Sequence, residues 1–136
     1  MKILLLAKLS DNNFNCIVQP LIRSKIVDHI YILRDTKCNI DSAKITFIPQ
    51  FNSRYKGKFR HVAKLFKGLI LCKTYKIDLI IGILIYPHGY LARMISFISR
   101  VPLLHVTIAG HREFWIYGKI IEKINLFLFK RIFLIT

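Results

Sequence analysis

The sequence predicts an α/β domain: a Rossmann-like, doubly wound and mostly parallel sheet of about six strands. Three observations lead there. Short β-branched runs without polar alternation recur along the chain, which suits strands buried on both faces. Helical periods fall between most of them, as parallel strands need long crossover connections. The two central runs each end in a brief polar segment, the layout expected at the carboxyl rim of an open sheet.

The unit over 77–115, IDLIIGILIYPHGYLARMISFISRVPLLHVTIAGHREFW, shows all three. Its first run, 77–85, is too short to span a bilayer and reads as a strand. Tyr86-Pro87-His88-Gly89 breaks it. A helix is predicted over 90–99, with Leu91, Met94, Ile95 and Ile98 on its apolar face. Val101-Pro102 stops that helix, a strand comes next over 103–108, and Ala109-Gly110-His111-Arg112 stands at its exit.

Upstream, a strand is predicted over 2–7, and Ser10 or Asp11 is placed to cap a helix over 14–24. Pro20 is expected to kink or shorten that helix. Strands over 30–33 and 45–48 succeed it, and the sequence leaves open whether they run parallel or antiparallel. A polar loop over 50–57 carries Phe51, Arg54, Tyr55 and Lys56. Next comes an amphipathic helix over 58–75. Phe59, Val62, Ala63, Phe66, Leu69 and Ile70 share one face, expected to lie on the sheet. Arg60, Lys64 and Lys67 share another, expected to face solvent and within reach of anionic lipid heads.

A last helix is predicted over 113–130 and a sixth strand over 132–136. Ile116, Ile120, Ile124 and Phe127 form one stripe of that helix, and Leu126 and Phe129 fall outside it. Deep burial between neighbours would account for this, as would cover by a second domain or partner chain. Right-handed crossovers order the six strands 3-2-1-4-5-6. The exits of the first, fourth and fifth strands, at 8–13, 86–89 and 110–112, then line one crevice at the switch point.

Composition narrows the function classes. At 136 residues the chain is one domain's worth of sequence. No uninterrupted apolar run approaches the ~20 residues of a bilayer span. The opening MKILLL reads as a strand rather than a leader, since Lys8, Asp11 and Asn12 come at once after it. A formal net charge of +15 implies an anionic partner: nucleic acid, an anionic membrane surface or a phosphorylated ligand. No helix-turn-helix, RRM or zinc pattern supports specific nucleic-acid binding. Cys16, Cys38 and Cys72 form no C-x-x-C pair, which argues against a disulfide framework and for a reducing, cytoplasmic setting.

Several motifs are missing. No G-x-G-x-x-G succeeds the first strand, no P-loop is present, and no G-x-S-x-G elbow occurs. Acids are too sparse for a metal site. What remains is His88, His111, Arg112 and Glu113. Backbone N–H groups at the start of the helix after His111 can hold an anion, and Arg112 can bridge phosphate oxygens. His111 can donate to a sugar hydroxyl or a phosphate. A structural hydrogen bond at a strand end is the competing reading of both histidines; it is preferred for His88 and left open for His111. His105, inside a strand, reads as a core residue, and His29 and His61 as peripheral.

Taken together these residues resemble the N-terminal domain of GT-B glycosyltransferases of the family 4 type (glycosyltransferase subfamily 4-like). The likeness rests on MKILLL, on KIDLIIGILIYPHGYLARMISFISRVPLLHVTIAGHREFW and on EKINLFLFKRIFLIT. These supply an Asp-led apolar strand, a G-x-x-A helix start from Gly89 to Ala92, a strand entered through x-x-Pro and ending in a histidine, and a final apolar strand.

The resemblance implies a retaining transferase that moves a sugar from a nucleotide-sugar to a lipid-linked or saccharide acceptor. It implies no metal and no tightly bound cofactor, the nucleotide-sugar being a co-substrate. His111 would be catalytic. Ser10, Asn12, Asn13, Tyr86, His88, Gly89, Gly110, Arg112 and Glu113 would bind acceptor or phosphate. Two departures stand out: 10–13 replaces the Gly-rich turn usual after the first strand, and the C-terminal donor-binding domain is absent from 1–136. The expectation is an acceptor-side half from polysaccharide or glycolipid biosynthesis, inactive alone and completed by a C-terminal half from the same gene or a separate chain. It would sit peripherally on the inner face of the cell membrane. The alternative is a non-catalytic basic remnant that binds a membrane surface or a partner.

Overall fold

The computed structural model describes residues 1–7, 11–34, 40–48, 59–106 and 134–135. Its elements are β1 (Lys2–Leu6), α1 (Asp11–Arg23), β2 (His29–Leu33), β3 (Ile45–Phe47), α2 (Phe59–Tyr75) and β4 (Leu79–Ile83). A turn of π-helix (Ile85–Gly89) then leads into α3 (Tyr90–Ser99), succeeded by β5 (Leu103–Val106) and the two-residue β6 (Leu134–Ile135). The sheet order is β3-β2-β1-β4-β5, extended by β6, and every pairing is parallel. The Rossmann-like α/β fold is therefore present, with its switch point between β1 and β4. The direction of β3, open in the sequence, is parallel: Ile30, Tyr31 and Ile32 pair with Ile45, Thr46 and Phe47.

Strand side chains sort by parity onto two core layers. Ile3, Leu5 and Ala7, Ile30 and Ile32, and Ile81 and Ile83 meet Phe14 and Val18 of α1. Leu4 and Leu6, Tyr31 and Leu33, and Ile80 meet Leu71 and Cys72 of α2 and Leu91, Ala92 and Ile95 of α3. Thus α1 covers one face of the sheet and α2 and α3 lie together on the other. This double cover is why the strands read as continuous apolar runs rather than alternating ones.

Helix α1 begins at Asp11, earlier than its apolar period suggests, and passes through Pro20 to Arg23. Proline costs a helix the bond to the carbonyl four residues back. Here that carbonyl belongs to Cys16, and Cys16 and Pro20 are both exposed, so water can replace the bond.

Helix α2 departs from expectation in its rotation. Its buried residues are Lys64, Gly68, Leu71 and Cys72. The stripe expected on the sheet faces outward: Phe59 is 73% and Phe66 61% exposed, with Val62 and Ile70 exposed beside them. Lys64, expected in solvent, is only 3% exposed. Three contacts hold the helix this way round. Gly68 sits so tightly on Ile95 of α3 that a β-carbon there would overlap the Ile95 side chain. Tyr75 stacks on Tyr31 of β2, with ring centroids 4.4 Å apart. Lys64 meets the imidazole of His88 in the π-helical turn. A glycine, a cysteine and a lysine weigh little in an apolar pattern, so the richer stripe on the opposite side dominates a reading from sequence.

Helix α3 spans the expected residues, but Leu91, Ala92, Ile95 and Ser96 are its buried set, and Met94 and Ile98 are exposed. Ser96 can turn inward because its hydroxyl donates to the Val101 carbonyl at 2.7 Å. Arg100, at φ 58°, ends α3, and Lys76, at φ 51°, ends α2. The predicted helix over 113–130 lies outside the described residues. No described helix is long and apolar enough to cross a membrane.

Candidate site at the carboxyl rim of the sheet

Residues Leu6, Leu33 and Gly82 stand in register at the carboxyl ends of β1, β2 and β4. The segments leaving these strands form the rim. After β4, Leu84 adopts φ 65° and donates its N–H to the Val106 carbonyl at 3.1 Å. The chain then enters the π-helical turn, which runs directly into α3 with Gly89 in helical conformation, φ −64° and ψ −42°. The polar segment read as a strand-breaking loop is therefore the first turn of a helix. Pro87 is tolerated there because the N–H groups of an opening turn make no intrahelical bond that a proline would forfeit.

His88 lies in that turn, 1% exposed. Its Nε2 is 3.2 Å from Nζ of Lys64, across from α2. Which of the two nitrogens donates depends on the imidazole tautomer. This bond ties the exit of β4 to α2, and it explains how a lysine comes to be buried on the inner face of a helix.

Gly82, Gly89 and Ala92 form the seam beside this pair. A β-carbon on Gly82 would come within 2.7 Å of the Ala92 β-carbon. One on Gly89 would fall 2.5 Å from both Cε1 of His105 and the Leu84 carbonyl oxygen. The G-x-x-A spacing thus lets α3 press onto β4 and onto the fully buried ring of His105. His105 is a core residue, as its place in a strand suggested.

On the other side of the sheet, Arg34 comes directly after β2 and is buried with its guanidinium 4.9 Å above the Phe14 ring. Asn12 and Asn13 belong to the first turn of α1 and are exposed. Tyr86 belongs to the π-helical turn. Ser10, Gly110, His111, Arg112 and Glu113 lie outside the described residues. Of the sequence-derived candidates, the structure brings together His88 and Gly89, and adds Lys64 and Arg34, which pattern reading passes over. The signal for Arg34 is its place immediately after a fully apolar strand. For Lys64 it is alignment with Gly68, Leu71 and Cys72 at helical spacing.

Ionisation follows the packing. Burial pushes the Cys72 thiol up, opposed by its hydrogen bond with Ser99. Burial, then the neighbouring Tyr75, raises the Tyr31 phenol. Among the described residues no three His, Cys, Asp or Glu side chains converge as metal ligands. Lys64, His88 and Arg34 are all buried, so they brace the carboxyl ends of the central strands, outside which ligands of open α/β sheets bind.

No family model matches the sequence, and no curated protein matches it. A solved structure, "Crystal structure of UDP-N-acetylglucosamine 2-epimerase", is similar with a TM-score of 0.58 at 10% sequence identity. The match covers 94% of this chain and 40% of that one. At such identity the likeness concerns the fold, and the chain spans well under half of that protein's length.

Proposed function

We propose that this chain is the acceptor-side, N-terminal half of a retaining glycosyltransferase that uses a nucleotide-sugar and acts on a lipid-linked or saccharide acceptor. The observation that carries the reading is the switch point of an all-parallel sheet with cationic side chains held at its rim: Lys64 with His88 on one side, Arg34 on the other. Support comes also from the Gly89–Ala92 seam and from the fold's likeness to a UDP-N-acetylglucosamine 2-epimerase structure.

In this reading His111 is the catalytic group facing the acceptor and the reacting sugar. Asn12, Asn13, Arg112 and backbone groups near Gly89 and Gly110 hold the acceptor or its phosphate. Donor contacts come from a C-terminal half, because transfer needs both substrates enclosed and aligned. No tightly held cofactor or metal is required, the nucleotide-sugar being consumed as co-substrate, and the setting is cytoplasmic.

The test is to co-express the chain with candidate C-terminal halves and to follow transfer from labelled nucleotide-sugars, with wild-type chain and with His111→Ala. The reading expects transfer from the pair, none from either half, and a loss of about a hundredfold or more with His111→Ala. Transfer indifferent to that substitution would remove His111 from the chemistry. The second reading, a non-catalytic surface-binding protein, is favoured by the exposed apolar stripe of α2 and expects no transfer with any half.

A further inference from the structure

Nine large apolar side chains are exposed among the described residues, and eight of them belong to α2 and α3. They are not scattered. The two helices lie side by side on one face of the sheet, joined at Gly68 and Ile95, with their buried residues turned inward. The outward side of this pair therefore carries Phe59, Phe66 and Ile70 from α2 and Met94, Phe97 and Ile98 from α3, with Phe97 78% exposed. Along α2 the stripe shapes an open apolar groove of about 540 Å³, with Lys67 at its margin. Exposed apolar side chains gathered in this number on one helical layer mark a docking surface.

Charge selects the occupant. Between Phe59 and Arg100 the chain has seven Lys and Arg and one acid, Asp78. That carboxylate accepts the Lys2 backbone N–H at 2.7 Å, at the amino end of the sheet. Neither α2 nor α3 contains an acid. Arg60, Lys67 and Lys73 stand along the α2 stripe, and Arg93 lies on α3. A second copy would bring one chain of net charge +15 against another, which opposes pairing through this face.

We infer that the outer face of α2 and α3 docks on an anionic phospholipid surface. The phenyl rings enter the acyl boundary, and the lysines and arginines lay their stems along it with their charged ends among the headgroups. This inference needs no catalytic activity and stands or falls separately from the transferase reading.

Vesicle flotation of the full chain tests it, comparing phosphatidylcholine alone with an equimolar mixture of phosphatidylcholine and phosphatidylglycerol. The chain floats with the anionic vesicles, stays behind with the neutral ones, and is released as salt rises. The double variant Phe66→Ser, Phe97→Ser lowers partition by about tenfold or more while keeping the wild-type circular dichroism and melting curve. Ile26→Ser, similarly exposed but away from these helices, leaves partition unchanged. The inference is overturned if anionic vesicles fail to float the chain, or if the Phe66, Phe97 variant floats as well as wild type. It is also overturned if that variant instead abolishes self-association of a chain that ignores lipid, which would give the face to a second copy.

Discussion

The Lys64–His88 bond is the most consequential single contact, because it places a polar group where the apolar pattern would put a leucine. Removing either partner leaves the other without its counterpart in a closed space. Lys64→Met or His88→Leu alone should cost about 2–4 kcal/mol, and the double substitution much less than their sum. Urea denaturation of the four proteins of this cycle should return a coupling of about 1–3 kcal/mol. Additive losses would mean that the two side chains do not interact. Gly89 makes a second demand. Gly89→Ala sets a methyl group against the His105 ring and the Leu84 carbonyl, and only the ring can yield. A loss of about 2 kcal/mol is expected, read by the same titration.

At the scale of elements, α2 decides what can be read from sequence. Its buried side holds Leu71 and its outer side Phe66. Leu71→Ala should therefore destabilise by about 2–4 kcal/mol, and Phe66→Ala by less than about 0.5 kcal/mol. The helical pattern taken alone favours the reverse order. Alkaline pH probes the same packing. Cys72 and Tyr31 keep their protons to higher pH when folded than when unfolded. Their contribution is thus fully present at neutral pH and is lost as pH rises past the ordinary thiol and phenol values and through the raised ones. Thermal melts should fall steadily in alkaline buffer, and Tyr31→Phe should flatten part of that decline.

The helices show where sequence reading stops. The strands are legible because burial on both faces makes them uniformly apolar, and the strand order comes from crossover handedness. Helix limits are legible where Val101-Pro102 stops α3, and less so at α1, whose first turn of Asp11, Asn12 and Asn13 has no apolar residue to mark it. The rotation of α2 is not legible, since pattern gives the side richest in apolar residues and not the side the sheet occupies. The rim is half legible. His88 and Gly89 stand out by type, whereas the partner of His88 lies 24 residues earlier on another element, and only the fold makes them neighbours.

Across the whole molecule, one rotation sets two properties. Turning Lys64 inward supplies the polar anchor at the exit of β4, and it necessarily turns Phe59, Phe66 and Ile70 outward. The polar anchor at the carboxyl rim and the apolar outer face of the helices thus follow from the same turn of α2. A transferase half working on a lipid-linked acceptor would use both at once. The rotation is measured most directly by thiol labelling of a chain in which Cys16 and Cys38 are replaced by serine. Native Cys72, on the inner side, should be protected by about a hundredfold or more relative to the unfolded chain. A cysteine introduced by F66C should label nearly as fast as in the unfolded chain. Rapid labelling of Cys72 with protection at position 66 would contradict the account.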